Sequence, residues 1–123
     1  MQPLEKFGLF IVKNLRDKAI RQHLLMQRGH WRAKAIQELQ NQVVALTPDL
    51  KDLLLRVVVD VVDTAMHDIL AAFQEAHDSD EGIDLIVDNV NIAEVSGMLQ
   101  GEHLGESGWI EKFSEFAVKG PNP

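Results

Sequence analysis

An apolar run between Thr47 and His77 constrains the fold more than any other part of the chain. Thr47 can cap a helix with its hydroxyl, and Pro48 suits the first helical position, where a backbone N–H has no partner. Polar residues recur three and four positions apart along one stripe, and apolar residues cover the remaining circumference. The valines within 57–62 would also suit a buried strand, but the length and period of the run decide for helix. The pattern predicts one long helix over about 48–76, contacted from several sides.

The preceding part of the chain predicts two more helices. Apolar residues recur at helical spacing over Pro3–Met26 and over Trp31–Leu46, and Gly29 between them suits a left-handed helix end. Short connections between three helices favour antiparallel neighbours. The expected fold is therefore all-α: a single-domain antiparallel helical bundle over 1–119, with three main helices built around the long one, and a tail over 120–123.

The C-terminal third has a weaker pattern. Residues 83–90 fit a strand about as well as a helix, but an isolated strand is unstable, so a helix or an irregular packed segment is expected. Asn91 can cap a short helix that continues through Leu99. Ser107 can cap a last helix over 109–117. One or two short C-terminal helices then pack against the long helix and complete the predicted bundle.

Charge is unevenly distributed along the 123 residues. The formal net charge is −7, yet residues 1–46 hold eight basic against three acidic side chains, and residues 47–123 hold four against sixteen. Halves of opposite charge either neutralise each other across the fold or present two poles to partners.

The composition also bears on the compartment and on the available chemistry. The chain contains no cysteine, which excludes disulfides and thiolate chemistry and suits a reducing compartment. Charged residues interrupt every apolar run before it reaches the length of a membrane span. These features predict a cytoplasmic, soluble protein that does not bind membranes.

Asp60, Asp63 and His67 are the best candidates for a metal site. Spacings of three and four place them on one helix face, and carboxylates with an imidazole suit a hard or borderline metal. Metal sites in bundles also need ligands from facing helices, and the first two predicted helices offer no matching carboxylates. We therefore expect no metal and no cofactor, and we interpret the stripe as a solvent face with Asp52, Arg56 and Asp60 as a charge ladder. A metal-binding enzyme or sensor is the alternative hypothesis.

The glycine-rich loop over 101–108 combines carboxylates, a histidine and a hydroxyl, and loops carry function more often than core faces do. No nucleophile elbow, phosphate-binding loop or zinc motif accompanies it, so the sequence favours a non-enzymatic protein that binds or regulates another protein. An immunity-protein or antitoxin-like role suits this size and charge. A basic protein partner is expected, because complementary charge speeds encounter. The predicted partner-binding residues are Glu102, His103, Glu106, Trp109 and Glu111, with Asp78, Asp80 and Glu81 as steering charge.

Two further hypotheses concern the remaining surface. The basic N-terminal half, with Trp31 among Arg28, Arg32 and Lys34, has the composition of a nucleic-acid-binding surface. The acidic remainder of the chain would repel nucleic acid, which makes this the weaker hypothesis. The apolar arc of the long helix can exceed what two neighbours cover, and a homodimer would hide the excess.

Overall fold

A computed structural model describes residues 1–117 as a mostly helical protein with two very short strands. The elements are α1 (Pro3–Ile11), a π-helical segment (Val12–Asp17), α2 (Lys18–Gln27), α3 (Gln37–Val44), α4 (Pro48–Asp78), β1 (Ile86–Val87), β2 (Val90–Asn91), α5 (Ile92–Ser96) and α6 (Trp109–Phe113). Short 3-10 helices cover Lys34–Ile36 and Leu99–Gly101. The predicted tail over 120–123 lies outside the described residues.

The long central helix is confirmed as α4, which ends at Asp78 rather than at about residue 76. The Thr47 hydroxyl accepts a hydrogen bond from the Leu50 N–H at 3.4 Å, and Pro48 occupies the first turn, as the capping pattern predicts. The buried residues of α4 all lie in its C-terminal half. Residues 48–65 contain no buried side chain, so the expected contact from several sides holds only beyond them.

The hydrophobic core gathers around that C-terminal half. Its fully buried members are Val12, Met66, Leu70, Ile92, Ala93, Leu99 and Trp109. None of these seven comes from α3, and more than half come from the weakly patterned C-terminal third. The short C-terminal segments therefore supply much of the core packing that the sequence assigned to the second main helix, observed as α3.

The first predicted helix is observed over Pro3–Gln27, but its middle part adopts a π-helical register. The Asn14 side chain donates a hydrogen bond to the Phe10 carbonyl at 2.9 Å, and such an insertion interrupts the regular α-helical ladder. Within the π-helical segment the consecutive residues Arg16 and Asp17 are both 2% exposed. The irregular segment thus turns two neighbouring charges towards the protein interior.

The second predicted helix begins later than expected. The peptide of Trp31 is bound by side chains: its N–H donates to Gln40 Oε1 at 3.0 Å, and its carbonyl accepts from Gln40 Nε2 at 3.0 Å and from Gln37 Nε2 at 2.6 Å. Because these amides satisfy the backbone groups that a helix would use, residues 31–33 remain non-helical. The predicted start at Trp31 is therefore wrong.

Residues 83–90 contain a strand, and its partner follows at once. Ile86 pairs with Asn91 and Val87 with Val90 in an antiparallel hairpin. The two connecting residues, Asp88 and Asn89, both have positive φ (50° and 65°), as a type I′ turn requires. The prediction of a helix or irregular segment is wrong here, and the hairpin is the departure from an all-α fold.

The C-terminal helices differ from prediction in their ends. The Asn91 side chain caps α5 by accepting from the Glu94 N–H at 3.3 Å, as expected. This helix ends at Gly97, whose φ of +73° is left-handed, instead of continuing through Leu99. The N-cap of α6 is Gly108, not Ser107, and the helix ends at Phe113 rather than at residue 117.

Candidate functional site

Arg16 and Asp63 form the polar centre of the largest surface concavity described. Arg16 Nε donates to Asp63 Oδ1 at 2.6 Å, and Nη2 donates to Oδ2 at 3.3 Å. Nη1 donates to the Ser114 hydroxyl at 2.8 Å and to the Phe116 carbonyl at 3.2 Å. Four of the five guanidinium N–H groups are thereby engaged. Arg16 therefore ties the fold together and has little capacity left to hold an anion.

Asp17 completes this attachment of the C-terminal segment. Its Oδ1 accepts from the Ser114 hydroxyl at 2.6 Å, and its Oδ2 accepts from the Glu115 N–H at 3.0 Å. Ser114 has an extended backbone (φ −80°, ψ 140°), which these bonds stabilise. They explain why α6 stops before Ser114 instead of continuing to residue 117.

His103 lies in the wall of the same concavity and is 1% exposed. Among the described residues neither ring nitrogen finds a hydrogen-bond partner. Burial lowers the pKa of His103; the nearby His67 lowers it further, Asp63 raises it, and Arg16 lowers it. The ring centroids of His67 and His103 are 5.9 Å apart. His103 is therefore a neutral packing residue in this geometry, and no hydrogen bond orients it as a general base.

The concavity has a volume of about 670 Å³ and opens between the π-helical segment, α4 and the loop before α6. Its lining includes the exposed carboxylates of Glu106 and Glu111, while Asp63 and Arg16 are already paired with each other. Its size is that of a small-molecule pocket. With this lining it would favour a cationic or hydrogen-bond-donating molecule over an anion.

Two of the candidate metal residues, Asp63 and His67, line one surface pocket together with His103. Among residues 1–117 no group of three or more histidine, aspartate or glutamate side chains is arranged to hold a metal ion. Asp63 instead accepts from a guanidinium, and His67 Nδ1 lies 3.3 Å from Asp68 Oδ1. The interpretation of Asp63 as part of a solvent face also needs correction, because Asp63 faces Arg16. Its positive partner disfavours a cation at this carboxylate.

The predicted partner-binding residues divide into exposed and buried groups. The exposed ones are Glu106, Glu111, Asp78, Asp80 and Glu81. Glu102 is half-buried and accepts from the Ser96 hydroxyl at 2.6 Å. His103 and Trp109 are 1% and 2% exposed, so neither offers surface to a partner. Trp109 packs edge-on against Phe7, with ring centroids 6.1 Å apart.

A different surface is left uncovered on the N-terminal half of α4. Leu50, Leu53, Val57 and Val61 follow one another at helical spacing and are 47%, 47%, 49% and 59% exposed. We call these four residues the α4 outer face. A row of large apolar side chains on the surface commonly marks an interaction site. The sequence predicted an excess of apolar surface on this helix. It did not predict the position of that surface, which depends on where the C-terminal elements pack.

Among the described residues, four ion pairs join the two oppositely charged halves. In one of them the N-terminal half supplies the carboxylate, because Glu5 pairs with Lys112. In the other three it supplies the cation. Lys6 pairs with Asp88 at 3.0 Å, Arg16 pairs with Asp63, and Arg21 pairs with Glu115. Part of the basic N-terminal charge is thereby neutralised within the fold. The cations named for a nucleic-acid-binding surface, Arg28, Arg32 and Lys34, are exposed, so that hypothesis stays a prediction.

Comparison of the chain with protein-family models, with curated protein sequences and with solved structures gives no match. Within residues 1–117, no helix combines the length and the apolar character that crossing a membrane requires. The function is therefore inferred from the surfaces described above.

Proposed function

We propose that this protein acts by binding another protein chain through the α4 outer face. The observation that carries the proposal is the absence of any buried side chain over 48–65, although this stretch holds most of the apolar residues of α4. Exposed leucines and valines in a continuous row gain free energy when a partner removes them from water. The proposed function is binding and not catalysis.

The shape of the surface supports a helical partner. The exposed side chains of the α4 outer face lie at i, i+3, i+7 and i+11 and form a ridge of roughly 17 Å along the helix. An amphipathic helix with the same periodicity is the element that interdigitates with such a ridge. We therefore propose a helix as the bound element.

Site-specific photocrosslinking in the native host tests this proposal. A photoreactive phenylalanine analogue replaces Val57, which is 49% exposed, and a matched chain carries it at Val95, which is 61% exposed and lies on α5. We expect a protein adduct from position 57 but not from position 95. Adding Val61→Asp should abolish the adduct at position 57. Equal adducts at both positions, or none at position 57, would contradict the proposal.

A second candidate function is supported by one specific observation. Asp78, Asp80 and Glu81 are exposed together where α4 ends, away from the α4 outer face. Exposed carboxylates at one pole would steer a basic protein, as in an immunity-protein or antitoxin-like role. For a partner recovered from the host, the association rate should fall as salt rises; a salt-independent rate would argue against this steering. A chain without cysteine suits such a role in the cytoplasm.

A further inference from the structure

We infer that the helix bound by the α4 outer face is α4 of a second copy of this chain, packed antiparallel. This inference rests on the proposed function and adds the identity and orientation of the partner. A two-fold symmetric pair uses the same surface on both copies, so the surface must be complementary to itself. The α4 outer face meets this condition in both its apolar row and its flanking charges.

Three residues of the apolar row, Leu53, Val57 and Val61, fit their own copies when the two helices cross near residue 58. In that register Val57 of one copy falls between the partner's Val57 and the partner's Val61. Val61 in turn falls between the partner's Leu53 and the partner's Val57. This is the alternation that lets side chains of facing helices interdigitate.

The flanking charges select the antiparallel orientation. Arg56 and Asp60 are both exposed and lie on the same side of the α4 outer face, four residues apart. In an antiparallel pair the same sides of the two helices meet, so Arg56 lies opposite the partner's Asp60, and symmetry repeats the pair. In a parallel pair this charged side would meet the opposite side, where Leu54 and Ala65 lie. Charge complementarity thus favours a second copy in the antiparallel orientation.

Charge reversal and mixing test the inference on the full chain. We expect the wild type to form a weak dimer, populated at roughly 100 µM but not at about 1 µM, because one helical ridge is a small interface. Arg56→Asp and Asp60→Arg should each raise the dimer dissociation constant about tenfold, since each places like charges opposite one another. An equimolar mixture of the two variants should restore dimerisation, measured by sedimentation equilibrium. Each chain in the mixture carries two like charges at positions 56 and 60 of its own helix, so restoration reports contact between chains.

Matched variants separate this inference from the proposed function. Val61→Asp should abolish the dimer, and Val95→Asp, at an equally exposed valine on α5, should leave it intact. If Arg56→Asp or Asp60→Arg loses helical signal, the mixing experiment is repeated with Arg56→Glu and Asp60→Lys. A wild type that stays monomeric at roughly 100 µM, or a mixture without restored dimer, overturns the second copy as partner. An adduct from position 57 whose mass differs from twice that of the chain would keep the proposed function while removing this inference.

Discussion

Arg16 in the π-helical segment donates to both carboxylate oxygens of Asp63 in α4, and the pair joins two helices whose contacting residues are 47 positions apart. The guanidinium side chain is 2% exposed, whereas that of Asp63 is 30% exposed. Arg16 therefore depends more than Asp63 does on the opposite charge of its partner. Loss of the carboxylate would leave a positive charge inside the protein.

Asp63→Asn should lower the free energy of unfolding by about 2 kcal/mol, below the range for fully buried pairs because Asp63 is partly exposed. The double variant Arg16→Met/Asp63→Leu should cost less than the sum of its single variants, because no charge is then left unpaired. Urea denaturation measures each value. Asp68→Asn, at an exposed residue of the same helix, should change stability by less than about 0.5 kcal/mol. Additive costs in the double variant would show that the two side chains do not act as a pair.

Gly8→Ala should destabilise the protein even though alanine is the better helix former. A Cβ at Gly8 would lie 2.5 Å from the Trp109 indole. Overpacking costs about 1–3 kcal/mol and outweighs a gain in helix propensity of about 1 kcal/mol. Thermal unfolding should show a lower midpoint for the variant. In a Trp109→Leu background the same change should become neutral or stabilising, and a stabilising effect in the wild type would refute the close contact.

The stability of the protein should decrease as the pH falls below about 6.5, in part because of His103. Burial lowers the pKa of His103 in the folded state, so the unfolded chain binds the proton more readily and stability rises with pH in this window. The stabilising contribution of His103 is complete at pH values above the pKa of the unfolded state. It is lost as the pH falls towards the lower pKa of the folded state. His103→Leu should reduce the slope of unfolding free energy against pH between pH 5 and pH 7. Burial also lowers the pKa of His23, so His23→Gln should reduce the slope independently, and an unchanged slope in both variants would contradict the assignment.

Gln74 should be the side chain that anchors the C-terminal segments to α4. It is 4% exposed; its Nε2 donates to the Ala93 carbonyl at 3.2 Å, and its Oε1 accepts from the Leu99 N–H at 3.0 Å. Gln74→Ala leaves buried backbone groups without partners and should cost about 2–3 kcal/mol. Exchange of the Leu99 amide hydrogen should accelerate, whereas Gln42→Ala, at an exposed position of α3, should leave it unchanged. Unaltered exchange in the Gln74 variant would refute the anchoring role.

The hairpin has a local signal in the sequence that the apolar periodicity does not show. Asp88 and Asn89 are residue types that tolerate positive φ, and a valine flanks them on each side, which is a hairpin pattern. At Trp31, by contrast, the local sequence gives no signal for the observed backbone. Its non-helical backbone depends on the Gln40 side chain, nine residues away, and no neighbouring residue indicates it.

Local sequence patterns are sufficient to predict the long helix from Pro48, its Thr47 cap, the Asn91 cap and the excess of apolar surface on α4. These properties depend on side chains within a turn or two of each other. The packing of distant segments decided which half of α4 is covered and that Asp63 faces Arg16. It also decided the burial of His103 and Trp109, which the sequence assigned to a surface. These properties arise from contacts between residues distant in the chain, and the periodicity of one helix carries no information about the position of its neighbours.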